Sequence, residues 1–464
     1  MIHNGKNVTD LKIAYIGGGS KGWAWGLMSD LAVADDISGS VYLYDIDYDA
    51  AKANEIIGNT VKNSKGAVTD WKYVAVKTID EALTGADFVV ISIFPGTMDE
   101  MNSDVHCPEK YGIYQSVGDS TGPGGIVRSL RTIPMMQEIA NAVKKNCPDA
   151  WVINYTNPMT VCVKTLYETF PEIKAFGCCH EVFGTQKLLT DVLKEYKGIE
   201  GVKRNEIKVN VIGVNHFTWL TSAKYKNIDL FPLYKEFCEK YGEEGYGVKA
   251  DTNWMNDFWE YAEKVKMELF LRYGYIAAAG DRHLAEFCSN HWYLASRERV
   301  AHMKFGLTPV DFRRENYKKL GAKSARLVNG EEQFEITETG EEGVMQIRAL
   351  LGLEDLVTNV NIPNRGQIPN LPIGAVVESN AVFSDNSVVP VFAGEIPTVI
   401  HPLIARICDE QQMIVKAGIE RDLELAFIAF LNDPLVSLAP PEARALFDEM
   451  IQNTKKYLTM YNVK

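Results

Sequence analysis

Positive charge is what this chain is short of: its 48 Lys and Arg are outweighed by 61 Asp and Glu, for a net charge of −13 over 464 residues. A surface of that sign argues against general binding to nucleic acid or anionic membranes, which both call for Lys and Arg to replace counterions. Long apolar runs are missing too. No stretch approaches the roughly 18 apolar residues that cross a bilayer, and MIHNGKNVTDLKIAYIGGG lacks the basic segment and apolar stretch of a secretory leader. The expectation is a cytoplasmic protein. Cysteine is sparse, eight in all with Cys178 and Cys179 adjacent, which excludes the disulfide framework of a small secreted domain. With 46% hydrophobic and 23% charged residues, the chain has material for two fused lobes.

What is present, first of all, is strand and helix in alternation. KIAYI (12–16), Val41 to Tyr44, Tyr73 to Val76, FVVISIF (88–94) and WVINYTN (151–157) read as buried strands separated by helical spacing, the pattern of a doubly wound parallel sheet. After about residue 200 the pattern changes. Strands IKVNVIGV (207–214) and FTWLTSA (217–223) precede helical stretches at 229–241, 254–273 and 409–430, which predicts residues 1–200 as a Rossmann-like domain and 201–464 as an α+β domain.

Gly17, Gly19 and Gly22 form G-x-G-x-x-G directly after the first strand and at the start of a helix. The glycines allow a tight turn and a close backbone approach to a pyrophosphate, whose charge the helix N-terminus favours; Ser20 adds a hydroxyl donor. Asp45 ends the second strand, where a carboxylate accepts from ribose hydroxyls, so the expected cofactor is NAD rather than NADP.

Three segments carry polar residues at the ends of apolar strands: NYTNPM (154–159), GCCHEVFG (177–184) and GVNHFTW (213–219). In a doubly wound sheet such residues converge on the ligand site. Cys179 and His216 supply one thiolate and one imidazole, a pair suited to a divalent transition metal with positions left open for substrate oxygens. The stretch VGDSTGPGGIVRSLR (117–131) combines Asp119 with Arg128 and Arg131, and reads as a mobile loop covering the nicotinamide before a helix that starts near Arg128.

Together these segments resemble glycoside hydrolase family 4, the NAD- and metal-dependent glycosidases. The resemblance runs along nearly the whole chain, through IGGGS, LYDID, VGDSTGPGGIVRSLR, NYTNPM, GCCHEVFG, GVNHF and VTNVNIPNRGQIPNLPIGAVVE (357–378). GCCHEVFGT with AAAGDRHLAEF (277–287) is most similar to the α-galacturonidase branch. The resemblance implies Mn2+ on Cys179 and His216, substrate hydroxyls on Asn157, and His180 as proton donor to the leaving oxygen. Asp119 would raise the basicity of the catalytic base. Phosphoglycoside branches use a Tyr base in the segment matching GDRHLAEF; no Tyr lies between Asp281 and Phe287, so Asp281 is expected as the base with His283 as its substitute. Met101 stands where those branches place an Arg, against a phosphorylated substrate. A uronate needs a cation for its carboxylate, with Arg128, Arg131, Arg282 and Arg365 as candidates. The implied reaction oxidises the sugar at C3, deprotonates C2, eliminates the leaving group, adds water and returns the hydride. A homodimer or homotetramer is implied as well. An α-galactosidase or α-glucosidase of the same family, or a hydroxy-acid dehydrogenase, is the alternative.

Overall fold

The computed structural model describes residues 1–247, 258–337 and 339–463. Six strands run parallel in one sheet, in the spatial order Lys72–Val76, Ile37–Tyr44, Asn7–Ile16, Phe88–Ile91, Trp151–Asn154 and Lys174–Gly177. Their apolar residues, such as Ile13, Val89, Ile153 and Phe176, are buried against elements on both faces, which is why these strands read as continuous apolar runs. The winding reverses between Asn7–Ile16 and its neighbour Phe88–Ile91, and this switch opens a crevice at the carboxyl ends of the strands. The expected doubly wound sheet is thus joined to an α+β lobe. That lobe is built on an antiparallel sheet of Ile207–Val214, Phe217–Tyr225, Ile228–Asp229 and Ile276–Ala277.

The later chain also extends the first sheet. Leu356–Pro363 pairs antiparallel with Lys174–Gly177, Asn361 facing Gly177, and Val376–Ser384 and Ser387–Pro390 follow as a meander. With the short Ile2–Asn4 this sheet has ten strands among the described residues.

Several helices differ from their sequence expectation. The stretch 409–430 is two helices: His401–Glu420 ends where Arg421 turns left-handed (φ 62°), and Asp422 caps Leu423–Asn432 by accepting from the Glu424 and Leu425 amides. Of the helix expected over 254–273, Lys264–Tyr273 is helical, whereas 254–257 lie outside the described residues. The helix expected near Arg128 begins earlier and runs Gly122–Asn146. Its start is held by the buried Asp433, which accepts from the Gly122 amide (2.7 Å) and the Thr121 hydroxyl (3.1 Å). Just ahead, Glu286 accepts from the Val117 (2.7 Å) and Gly118 (2.9 Å) amides. The stretch read as a mobile cover is therefore a buried, pinned segment, since leaving those carboxylates unpaired inside the protein would be costly. No helix among the described residues is long and apolar enough to cross a membrane.

Candidate active site

The glycine turn lies at the switch crevice. The Gly17 and Gly18 amides both donate to Tyr44 O (2.9 and 2.8 Å), and Gly17 has φ +93°. A Cβ at Gly17 would fall 2.0 Å from Ser92 O, and one at Gly19 2.6 Å from the Ala50 Cβ, so both positions require glycine on steric grounds alone. The Ser20 amide donates back to Gly17 O (3.0 Å), and Gly22 caps helix Trp23–Ala32 without any side-chain acceptor or first-turn acid. Its free N–H groups form an anion-seeking terminus. Asp45 sits beside the turn, where one oxygen accepts from the Gly19 amide (2.9 Å) and the other from Asp47 (2.9 Å). A cavity of about 290 Å³ adjoins this turn, with Gly22, Trp23, Tyr15, Tyr155, Glu341 and Val344 in its wall.

Three histidines gather around one carboxylate that sequence reasoning passed over, Glu181. It opens helix Glu181–Lys197 directly after His180, and its Oε2 accepts from the Gly280 amide (2.7 Å). Its Oε1 lies 3.6 Å from His283 Nε2 and 3.9 Å from His180 Nε2. Burial opposes ionisation of Glu181, but His283, His216 and His180 outweigh it and pull its pKa down to about 2. His216 occupies the two-residue tip of the hairpin Ile207–Val214/Phe217–Tyr225 with φ 64°, and its ring stacks on His283 at 3.8 Å between centroids. Burial, reinforced by His283, lowers the His216 pKa to about 3, so this imidazole is neutral.

The tautomer of His216 follows from its neighbours. Burial raises the Asp119 carboxyl, but Arg128, His283, His216 and Arg313 together hold it below the usual range. The ionised carboxylate accepts the Ser120 hydroxyl proton (2.9 Å), and the same hydroxyl lies 2.9 Å from His216 Nδ1. Ser120 has spent its one proton, so Nδ1 must donate, leaving Nε2 with a free lone pair.

Cys179 is buried with Glu378 and Glu181 acting on it; burial first, then those carboxylates, push its thiol well above the usual range. Around it, Asn359 donates to Cys179 O (3.1 Å) and to Glu378 Oε1 (2.7 Å), and Asn215 donates to Glu378 Oε2 (3.1 Å). His180, half exposed, holds Glu341 Oε1 at 2.7 Å from Nδ1. That contact raises the His180 pKa against the opposing effect of burial. Asn157 carries a buried Oδ1 without a partner, while its carbonyl accepts from Arg128 Nε (3.1 Å). Among the described residues, no three His, Cys, Asp or Glu side chains are grouped closely enough to hold a metal by themselves.

Other expected residues are engaged elsewhere. Asp281 points both carboxylate oxygens at the N-terminus of helix Lys264–Tyr273, accepting from the Val265 (3.1 Å) and Lys266 (3.0 Å) amides. Two residues on, His283 turns into the histidine cluster with a buried Nδ1 that has no partner. Arg131 is fully buried in an ion pair with Asp104 and also donates to Pro95 O. Arg282 donates from Nε to Gly306 O and from Nη2 to Ser116 O and the Thr308 hydroxyl, and Arg365 is exposed.

Residues 12–195 match family 4 glycosyl hydrolases, and residues 211–436 match the C-terminal domain of the same family. The chain belongs to family 4 of the glycosyl hydrolases. It is 60% identical over 464 residues to an α-galacturonidase of Thermoanaerobacterium saccharolyticum, covering 100% of both chains. The crystal structure of the putative glucosidase lplD from Bacillus subtilis shares 50% identity with a TM-score of 0.91, covering 96% of this chain and 100% of that one. At 20% identity, the 6-phospho-β-glucosidase of Thermotoga maritima, solved with manganese, NAD+ and glucose 6-phosphate, has the same fold (TM-score 0.76, covering 96% and 99%).

Proposed function

We propose that this family 4 member hydrolyses α-galacturonides in the cytoplasm with NAD and Mn2+. The observation that carries the reading is the end-to-end 60% identity with an α-galacturonidase; the histidine and cysteine cluster beside the dinucleotide crevice gives it a chemistry. Both groups suit the residues present. The glycine turn and uncapped helix terminus suit a pyrophosphate, and Asp45 suits a ribose. The His216 Nε2 lone pair and the Cys179 thiol form an N/S donor pair, and Glu378 and Glu181 nearby offset a divalent charge. When bound, NAD and the cation supply reversible oxidation at C3 and stabilisation of negative charge on sugar oxygens, which makes the C2 proton acidic enough for a side-chain base.

We assign that base to His283 rather than Asp281. Burial keeps its imidazole neutral, and Glu181 and Asp119 push its proton affinity back up, as a base requires. Its partnerless Nδ1 is free to accept the proton. In this assignment Asp119 strengthens the base and also fixes Ser120 and through it His216. Asn157 Oδ1 is available to a sugar hydroxyl. His180 is the proton donor to the glycosidic oxygen, its proton affinity raised by Glu341.

Incubating the enzyme with digalacturonate, NAD+ and Mn2+ is expected to release galacturonate without accumulation of NADH at 340 nm. Stoichiometric NADH would instead identify a dehydrogenase. A proton donor with a raised pKa works until pH climbs through that pKa, so it sets the alkaline limb of the rate profile. Glu341→Gln removes the contact that raises it and is expected to move that limb of kcat/KM to lower pH, leaving the acid limb in place. An unmoved alkaline limb would assign the proton donation elsewhere.

A further inference from the structure

Among the described residues, two arginines keep buried guanidinium nitrogens without a partner, and Asp119 acts on both. Arg128 has a buried Nη1 with no acceptor, and Arg313, on helix Val310–Val328, has a buried Nε and a buried Nη2 with none; no other arginine among the described residues shows this. The contrast with neighbours is sharp, since Arg314 pairs with Asp99 (2.6 Å) and Arg131 with Asp104. Arg313 lies over the Trp259 ring at 5.4 Å, which orients the guanidinium plane but satisfies no N–H. The charges that act on it include those of Asp119, Arg128 and Glu286, and Arg282, over the same Trp259 ring, is repelled by it. Glu286 already accepts two backbone amides and burial raises its pKa to about 7, so of these two carboxylates Asp119 is the firmly ionised one, and it faces Arg128, Arg313 and Arg282. Buried guanidinium N–H groups in this cluster are left without an acceptor.

We propose that Arg313 receives the C6 carboxylate of the substrate on the Nε–Nη2 edge of its guanidinium, with Arg128 as the second cation of the subsite. Two parallel N–H groups on that edge match the two oxygens of a carboxylate, a geometry a lysine cannot reproduce. Burying such donors unpaired is unfavourable, and a uronate would complete them at the moment of binding. The proposal rests on the α-galacturonidase reading and gives it a residue for selectivity between uronides and neutral galactosides. Among the arginines singled out in the sequence, it retains Arg128 and replaces Arg131, Arg282 and Arg365.

The test is calorimetric titration of the protein loaded with NAD+ and Mn2+, using galacturonate, galactose and galactose 6-phosphate. Wild type is expected to prefer galacturonate. Arg313→Gln should weaken galacturonate about 100-fold, as loss of a buried charged pair does, with galactose unchanged. Arg313→Lys, which keeps the charge and the stem, should lie between and serves alone if the glutamine variant does not fold. Equal losses for galacturonate and galactose, unchanged galacturonate affinity, or a preference for galactose 6-phosphate would each overturn the assignment. Arg313-dependent galacturonate binding by an enzyme that fails to cleave digalacturonate would uphold the subsite and sink the proposed reaction.

Discussion

Replacing Cys179 with serine is expected to lower turnover by about 1,000-fold or more and to remove bound manganese, with little change in thermal stability. The thiol is buried in a setting that holds it protonated until a cation compensates the charge of Glu378 and Glu181, so its environment suits a metal ligand far better than a free nucleophile. A serine hydroxyl fits the same space but does not ionise at neutral pH. The fold should tolerate the change because Asn359 binds the carbonyl of residue 179, not its side chain. Metal analysis of the purified variant and its thermal midpoint, measured beside kcat, separate lost chemistry from lost structure. Retention of manganese with normal turnover would remove Cys179 from the site.

The second large effect separates two residues that stand two positions apart. His283→Phe keeps a flat ring that can stack on His216 and loses the basic nitrogen; a fall of about 1,000-fold in kcat is expected, within the range for removing a general base. Loss of solvent deuterium exchange at C2 of the sugar is the specific readout. Asp281→Asn should instead act on the fold, because an amide is a poorer cap than a carboxylate for the Val265 and Lys266 amides. Its expected cost is about 1 kcal/mol, seen as a lower thermal midpoint with C2 exchange retained. If Asp281→Asn abolished exchange while His283→Phe kept it, the base would be Asp281.

The pair Asp281 and His283 shows where the sequence is legible and where it stops. Strands such as KIAYI and FVVISIF announce themselves by composition because both faces are covered, and the glycine turn follows from chain geometry alone. Asp281 and His283, by contrast, share a six-residue helix, and which one is taken up by backbone amides depends on where helix Lys264–Tyr273 begins. The early start at Gly122 was hidden for a similar reason. A Gly-Pro-Gly-Gly run has turn composition, and the carboxylate that pins it comes from Asp433, more than 300 positions away. Arg313 lies in RRENYKK, one charge among many on a polar helix, and unmet donors are visible only once the surroundings are assembled. Glu181 had a local signal, standing next to His180 at a helix start where an acid is favoured, and could have been found.

The meander at 356–390 bears on how this protein is made. While the ribosome is still building the second half, the nascent sheet carries an open margin at Lys174–Gly177, and the strands that close it have yet to emerge. A nucleotide lobe that folded before these strands emerged would carry that margin exposed, and an unpaired strand edge is the kind of surface that invites mispairing.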